Sequence, residues 1–384
     1  MKKMLLCLLC ALLLIQQARA ISPLPEDSFD LGCTSAVLME RSTGTLLYAK
    51  NAHKRLAPAS VTKVMTMLLV VEAVENGSLS LEDTVTASAA AAGMGGSQVY
   101  LEEGERMSVG ELLKCVAVVS ANDCAVALAE TLCGSEAAFT ARMNRRATEL
   151  GLQDTVFRNC TGLSGPGEHY SSAWDIAVMS RELLSHTWIR DYTTVWMDTI
   201  RGGEFGLSNT NKLVHGYHGC TGLKTGYTSE AMFCLAASAE RDGVEFIAVV
   251  LHGDSSADRF AAARTLLDYA FANYALVSLL PPESIAPIPV EMGMEEMVNV
   301  APRGNTVTVA EKASLRELTM ETELPSAVTA PVEAGQVLGQ VTLRWGDRVL
   351  SQLPLTAAES VERRSRGRVY RDLLGQLFSL NGAR

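Results

Sequence analysis

The stretch Ala59-Ser60-Val61-Thr62-Lys63-Val64-Met65-Thr66 opens an apolar run that continues through Val74 and stops at Asn76-Gly77. Met, Leu and Val fall on nearly every side of that run, which predicts a buried central helix rather than a surface one. Asn-Gly is a strong helix stop. In a helix, residues three apart lie on one face, so the Ser60 hydroxyl and the Lys63 amine should point the same way from the first turn. A serine hydroxyl is a weak nucleophile without a base beside it. An amine at the positive pole of a helix is pushed toward its neutral, basic form. Ser60 and Lys63 are therefore a candidate nucleophile and general base. The same four residues also fit an ordinary helix start with a solvated Lys, and the rest of the chain must decide.

Two further short motifs sit at element ends. Ser108-Val109-Gly110-Glu111 reads as a capping box. The helix it opens breaks at Ser120-Ala121-Asn122-Asp123, and a second helix follows to Cys133-Gly134. Lys224-Thr225-Gly226 stands at the head of an expected strand. Beyond it, Met232–Ala239 and Val244–Leu251 form a hairpin at Arg241-Asp242-Gly243, and 256–274 returns to helix. Near the other end, Ala36–Arg41 and Thr45–Ala49 form a hairpin around Ser42-Thr43-Gly44. Residues 78–107 read as irregular. Strands drawn from both ends of a helical block predict an α+β domain over 28–278, an antiparallel sheet with helices packed on it.

The three motifs, in this order, resemble the penicillin-recognising serine enzymes. The similarity is closer to the low-molecular-mass D-alanyl-D-alanine carboxypeptidases of the bacterial cell wall. It rests on Ala57–Thr66, Ser120–Asp123, Phe157-Arg158-Asn159, Gly162-Leu163, His169-Tyr170-Ser171, Asn209–Leu213 and Gly222–Thr228. The resemblance implies a β-lactamase/transpeptidase-like fold. It implies Ser60 as nucleophile, Lys63 as general base and Ser120 as a proton relay bridging the lysines and the leaving amine. Asn122 would bind the substrate amide. Lys224 and Thr225, aided by Arg259, would bind the terminal carboxylate. The backbone N–H groups of Ser60 and Tyr227 would form the oxyanion hole. Lys224, as a second cation, would keep Lys63 neutral.

The implied reaction removes the terminal D-Ala of peptidoglycan pentapeptide stems, with β-lactam antibiotics as covalent inhibitors and no cofactor or metal. A D,D-endopeptidase, a β-lactamase and a non-catalytic penicillin sensor are the alternatives. Against the lactamase, the single Glu168 in the 157–170 loop lacks the Glu-x-x-x-Asn pattern of that class. One departure is Thr221, where many relatives carry Asp.

The flanks have a different composition. Residues 1–20, with Lys2, Lys3, an apolar stretch and Ala18-Arg19-Ala20, read as a secretory signal. Seven cysteines follow, an odd number without C-x-x-C spacing, so neither a disulfide framework nor a metal site is expected. After Pro281-Pro282, residues 283–358 alternate like strands and predict a small all-β domain. Residues 361–384 place Val369, Tyr370, Leu373, Leu374, Leu377 and Phe378 on one helical face and carry a net +4 in a chain of net −10. That is the composition of an amphipathic helix lying on a membrane surface. The acidic balance argues against nucleic acid as a partner. The expected location is outside the cytoplasmic membrane, at its outer face or in the cell wall.

Overall fold

The structure is a computed structural model and describes residues 21–163, 168–281, 285–365, 367, 368 and 370. The expected signal segment (1–20) and two thirds of the expected tail helix (366, 369 and 371–384) lie outside them. Two compact units divide at Tyr274/Ala275.

The larger unit is α+β. Strands β1 (Cys33–Glu40) and β2 (Leu46–Lys50) form the first hairpin. Strands β3 (Cys220–Thr228), β4 (Met232–Arg241) and β5 (Val244–Gly253) complete an antiparallel sheet of order β2-β1-β5-β4-β3. β1 pairs with β5, so the first and last strands of the domain meet in mid-sheet. Val37, Met39, Ile247, Val249 and Leu251 alternate onto the face that packs against the helices.

Helix α1 (Lys63–Glu75) has ten of its thirteen residues buried, as its all-round apolar sequence requires. Around it lie α2 (Val109–Val118), α3 (Asn122–Cys133), α4 (Glu136–Glu149) and α5 (Ala173–Ser185). The capping box forms as read: the Ser108 side chain accepts the Glu111 N–H, and the Glu111 carboxylate accepts the Ser108 N–H at 3.2 Å. Gly134, at φ 80°, ends α3 in the left-handed conformation that glycine adopts freely. Helix α6 (Ser256–Asn273) packs on β4 and β5.

Four expectations change. The α-helix begins at Lys63, and Ser60 lies in a 3-10 turn, Ala59–Thr62, because Ala59 sits at φ 46° and turns the chain sharply after Pro58. Lys224-Thr225-Gly226 lies inside a nine-residue strand, not ahead of one. Its glycines read as turn signals, but pairing with β4 (Thr225 opposite Leu235, Tyr227 opposite Phe233) holds the backbone extended. Residues 78–107 are not irregular throughout: Thr84–Thr86 pairs with Arg106–Ser108. A further hairpin, Met197–Ile200 with Phe205–Ser208, was not foreseen.

The smaller unit is all-β. A four-stranded sheet runs Val300–Pro302, Arg348–Ala357, Val337–Trp345, Leu318–Glu323. Ile288–Glu291 pairs between Met297–Val298 and Val328–Thr329. Strand Tyr274–Ser278 pairs with Val307–Glu311. Leu315 lies in a 3-10 turn (Lys312–Glu317), and the strand after it starts at Leu318. Among the described residues no helix is long and apolar enough to cross a membrane.

Candidate active site

The site forms where the turn before α1, the break between α2 and α3, and edge strand β3 converge. The fit is tight. A Cβ on Gly226 would stand 2.7 Å from the Pro58 carbonyl oxygen and 3.1 Å from the Ser60 nitrogen. Only glycine lets the strand pass so close to the nucleophile's backbone. On another side, a Cβ on Gly162 would overlap the Ala59 carbonyl at 1.8 Å, and Gly162 has φ 80°. Gly162→Ala should therefore destabilise the larger unit by about 3 kcal/mol, from overpacking plus left-handed strain. Urea unfolding tests this, and an unchanged midpoint would refute the packing argument.

Lys63 is fully buried, and its Nζ has three partners: Ser60 Oγ at 3.0 Å, Asn122 Oδ1 at 2.6 Å and the Thr161 carbonyl oxygen at 2.8 Å. Two of these are acceptor-only oxygens. In the neutral amine they take both N–H bonds, and the lone pair is left facing the Ser60 hydroxyl. The direction of proton transfer follows from that partner set. Burial pushes the Lys63 ammonium down from 10.5 to about 7, against the pull of Cys160 and Asp123.

Lys224 is also fully buried and donates to the Thr225 carbonyl at 3.0 Å. Burial lowers its pKa first, then repulsion from Lys63 and Arg259. The expected cause is thus corrected. Desolvation, not Lys224, is the main reason Lys63 can be neutral, and the repulsion between the amines is felt at Lys224.

Ser120 lies at φ 66°, is 3% exposed, and its Oγ has no hydrogen-bond partner among the described residues. It does not bridge the two lysines, contrary to the expected relay geometry. Lys63 already has three partners, and Lys224 donates to a backbone carbonyl instead. A buried hydroxyl held at a strained backbone position without a partner is a group waiting for one. The Asn122 amide holds Lys63 through Oδ1 and donates from Nδ2 to the Gly95 carbonyl at 2.7 Å. Its neighbour Asp123 accepts the N–H groups of Val99 and Leu101, which pins the 95–101 segment over the helix break.

Thr225 Oγ1 bonds Thr210 Oγ1 at 2.7 Å. Tyr227 is 57% exposed and its ring lies 4.5 Å from that of Phe233. Arg259 is buried and donates to the Gly226 and Cys234 carbonyls at 2.9 and 3.2 Å. It therefore braces the β3–β4 pair beside the site. Thr221 donates to the buried Glu245 carboxylate at 2.6 Å, and Arg41 and Arg190 pair with that carboxylate. The substitution is thus absorbed within the sheet.

Some contributors were given no role by the sequence. Thr161 acts through its carbonyl, which no side-chain motif reports. Asn159 Oδ1 accepts the N–H groups of Thr161 and Gly162 and shapes the loop that aims that carbonyl. His169 Nδ1 accepts the Arg158 N–H, so its Nε2–H donates to Thr62 Oγ1 at 2.8 Å. Burial holds it neutral, with its pKa down to about 4. Asn211 Nδ2 bonds the Gly222 carbonyl and ties the Asn209–Leu213 segment to β3.

The seven described cysteines are all reduced. Burial raises the Cys124, Cys160 and Cys234 thiols, so none competes with Ser60 as nucleophile. One group of metal-ligating type occurs among the described residues, Glu72, Glu182 and His186. Arg146 already pairs with both carboxylates, at 2.8 and 2.7 Å.

Residues 21–255 match the family described as D-alanyl-D-alanine carboxypeptidase, and 278–363 match the C-terminal domain of penicillin-binding protein 5. The chain is 41% identical over 334 residues to the D-alanyl-D-alanine carboxypeptidase DacF of Bacillus subtilis, covering 86% of each chain. Penicillin-binding protein 5 of Haemophilus influenzae superposes with a TM-score of 0.79 at 28% identity, over 89% of this chain and all of that one. Penicillin-binding protein D2 of Listeria monocytogenes, solved with ampicillin bound, gives a TM-score of 0.59 at 32% identity, over 64% of this chain and 99% of that one. The chain belongs to the D-alanyl-D-alanine carboxypeptidase family of low-molecular-mass penicillin-binding proteins and is a serine-type carboxypeptidase of cell-wall maturation.

Proposed function

We propose that this carboxypeptidase removes the terminal D-Ala of peptidoglycan pentapeptide stems through an acyl-enzyme on Ser60. The observation that carries this reading is the Lys63 nitrogen, 3.0 Å from Ser60 Oγ with its other partners acceptor-only. Neutral Lys63 takes the hydroxyl proton as Oγ attacks the carbonyl of the penultimate D-Ala. The N–H groups of Ser60 and Tyr227 stabilise the oxyanion. Lys224 and Thr225 bind the terminal carboxylate. As the C–N bond breaks, the leaving D-Ala amine receives a proton through the Ser120 hydroxyl, and Asn122 orients the substrate amide while holding Lys63. Water then hydrolyses the ester. Arg259 is assigned a positioning role, because its Nη1 donates to β3 and β4 carbonyls. β-Lactams acylate the same Ser60; the ampicillin-bound Listeria relative supports that part of the reading. Mass spectrometry of a D-Ala-D-Ala pentapeptide incubated with the enzyme should show loss of one D-Ala. An untouched peptide would reject the proposal.

The chain is exported and works at the outer face of the cytoplasmic membrane, held there by residues 361–384. The support is compositional: one apolar helical face and a net +4 in that segment. Truncation at about residue 360 should release the protein from anionic lipid vesicles in a sedimentation assay. Undiminished binding would remove the anchor.

A further inference from the structure

A cleft of about 590 Å³ lies at the far end of α1, lined in part by Val74. At about 1.5 Å per residue, Val74 stands roughly 16 Å along the helix axis from Lys63. The cleft therefore takes no part in the bond-breaking step. Its volume falls within the range of about 300–1,000 Å³ of small-molecule sites.

Two aromatic rings form its corner. Trp188 and Tyr192 stand edge to face, with centroids 6.0 Å apart and planes at 74°. The Trp188 ring is pinned: its Nε1–H donates to Glu75 Oε1 at 2.9 Å, and His186 holds the other oxygen of that carboxylate at 2.7 Å. Leu81 and Val195 complete the apolar part. The polar part is Lys114 on α2, Asp191, and Asp198 on the hairpin 197–208. Lys114 Nζ pairs with Asp198 Oδ2 at 2.6 Å. Tyr192 is half-buried, and its hydroxyl has no hydrogen-bond partner among the described residues.

This lining discriminates between classes of ligand. An anion finds Lys114, the cation among the lining residues, already paired, and meets an exposed carboxylate at Asp191. A wholly apolar ligand would strip water from the Lys114–Asp198 pair and return no hydrogen bond. A neutral ligand with an apolar ring face and a rim of hydroxyls satisfies both parts. Its C–H groups, weakly positive, pack on the negative faces of the aromatic rings. Its hydroxyls donate to Asp191 and Asp198 and accept from Lys114 and Tyr192. A pyranose is built in that way, and an N-acetylated amino sugar adds an amide.

We infer that this cleft is a glycan-binding site, and that it takes the uncharged N-acetylated sugar chain to which peptidoglycan stems are attached. Held there, the enzyme meets the stems of the same polymer at a raised effective concentration. The inference rests on the carboxypeptidase reading above for the identity of the polymer and adds to it a contact remote from Ser60.

The probe is chitotetraose, the soluble tetramer of N-acetylglucosamine, titrated onto the full chain in detergent with isotope-labelled tryptophan indoles. The Trp188 indole resonance, identified by its loss in Trp188→Leu, should shift with a Kd on the order of 1 mM. Tyr192→Phe, which keeps the ring, should weaken that binding about fivefold. Two substrates then separate binding from chemistry: Nα-acetyl-L-Lys-D-Ala-D-Ala, and isolated peptidoglycan carrying pentapeptide stems. Trp188→Leu should hydrolyse the soluble peptide at the wild-type kcat/KM and release D-Ala from the polymer about tenfold more slowly. A Trp188 indole indifferent to chitotetraose, or a Trp188→Leu variant that loses equally on both substrates or on neither, would overturn the glycan site and leave the carboxypeptidase reading standing. Release of D-Ala from neither substrate by the wild type would overturn that reading, and the indole titration would still decide the glycan site.

Discussion

Ser60→Ala is expected to abolish D-Ala release and leave the protein folded. The side chain removed is small and lies in a 3-10 turn whose packing depends on Ala59, Val61 and Thr62, so unfolding by urea should shift little. The chemical loss is of another order. Without Oγ no acyl-enzyme forms, and in serine hydrolases deleting the nucleophile lowers kcat by roughly 10^4-fold to 10^6-fold. Two measurements check this. D-Ala release from a pentapeptide should drop to background, and intact-protein mass spectrometry after exposure to a penicillin should show the acyl adduct on the wild type alone. A variant that still gains the adduct mass would move the nucleophile to another residue.

The second large effect concerns Lys63 and its protonation. Below its pKa of about 7 the group is an ammonium with no lone pair and cannot accept the Ser60 proton. Above it the neutral amine can. Activity therefore rises with pH through about 7 and levels off, and the acid limb of kcat/KM reports this group in the free enzyme. Lys63→Arg keeps a cation in place but never loses it near neutrality. It should lower kcat/KM by about 10^3-fold, within the range for removing a general base, and should remove the acid limb near 7. A profile flat between pH 5 and 9 in the wild type would exclude Lys63 as the base. A second variant, at Lys224, separates two accounts. If burial governs the Lys63 pKa, replacing Lys224 by a neutral residue should leave the acid limb near 7. If repulsion from Lys224 governs it, the limb should move to higher pH.

Local signals carried much of the fold because they are short-range. The capping box at Ser108 and Glu111, the stop at Gly77 and the hairpin at Asp242-Gly243 are each set by backbone groups within a few residues. The unforeseen hairpin 197–208 and the true start of strand β3 are different. Gly222 and Gly226 weaken the local preference for strand, and only the ladder to β4 restores it. The strand Tyr274–Ser278 was likewise not legible, since its partner lies some thirty residues away in sequence, at Val307–Glu311.

At the site, sequence alone determined the residue types and their order: a hydroxyl and an amine three apart, a Ser and an Asn at a helix break, a Lys and a Thr beside a glycine. These follow from chain-local geometry and from resemblance to a family. Tertiary structure alone decided the electrostatics. The depressed pKa of Lys63 comes from complete burial. The lone-pair direction comes from the Thr161 carbonyl, 98 residues away along the chain, and from Asn122. The lack of a Ser120 partner among the described residues and the use of Arg259 as a brace were equally invisible. Desolvation and hydrogen-bond partnership depend on which distant segments close around a group, and no short stretch of sequence contains that information.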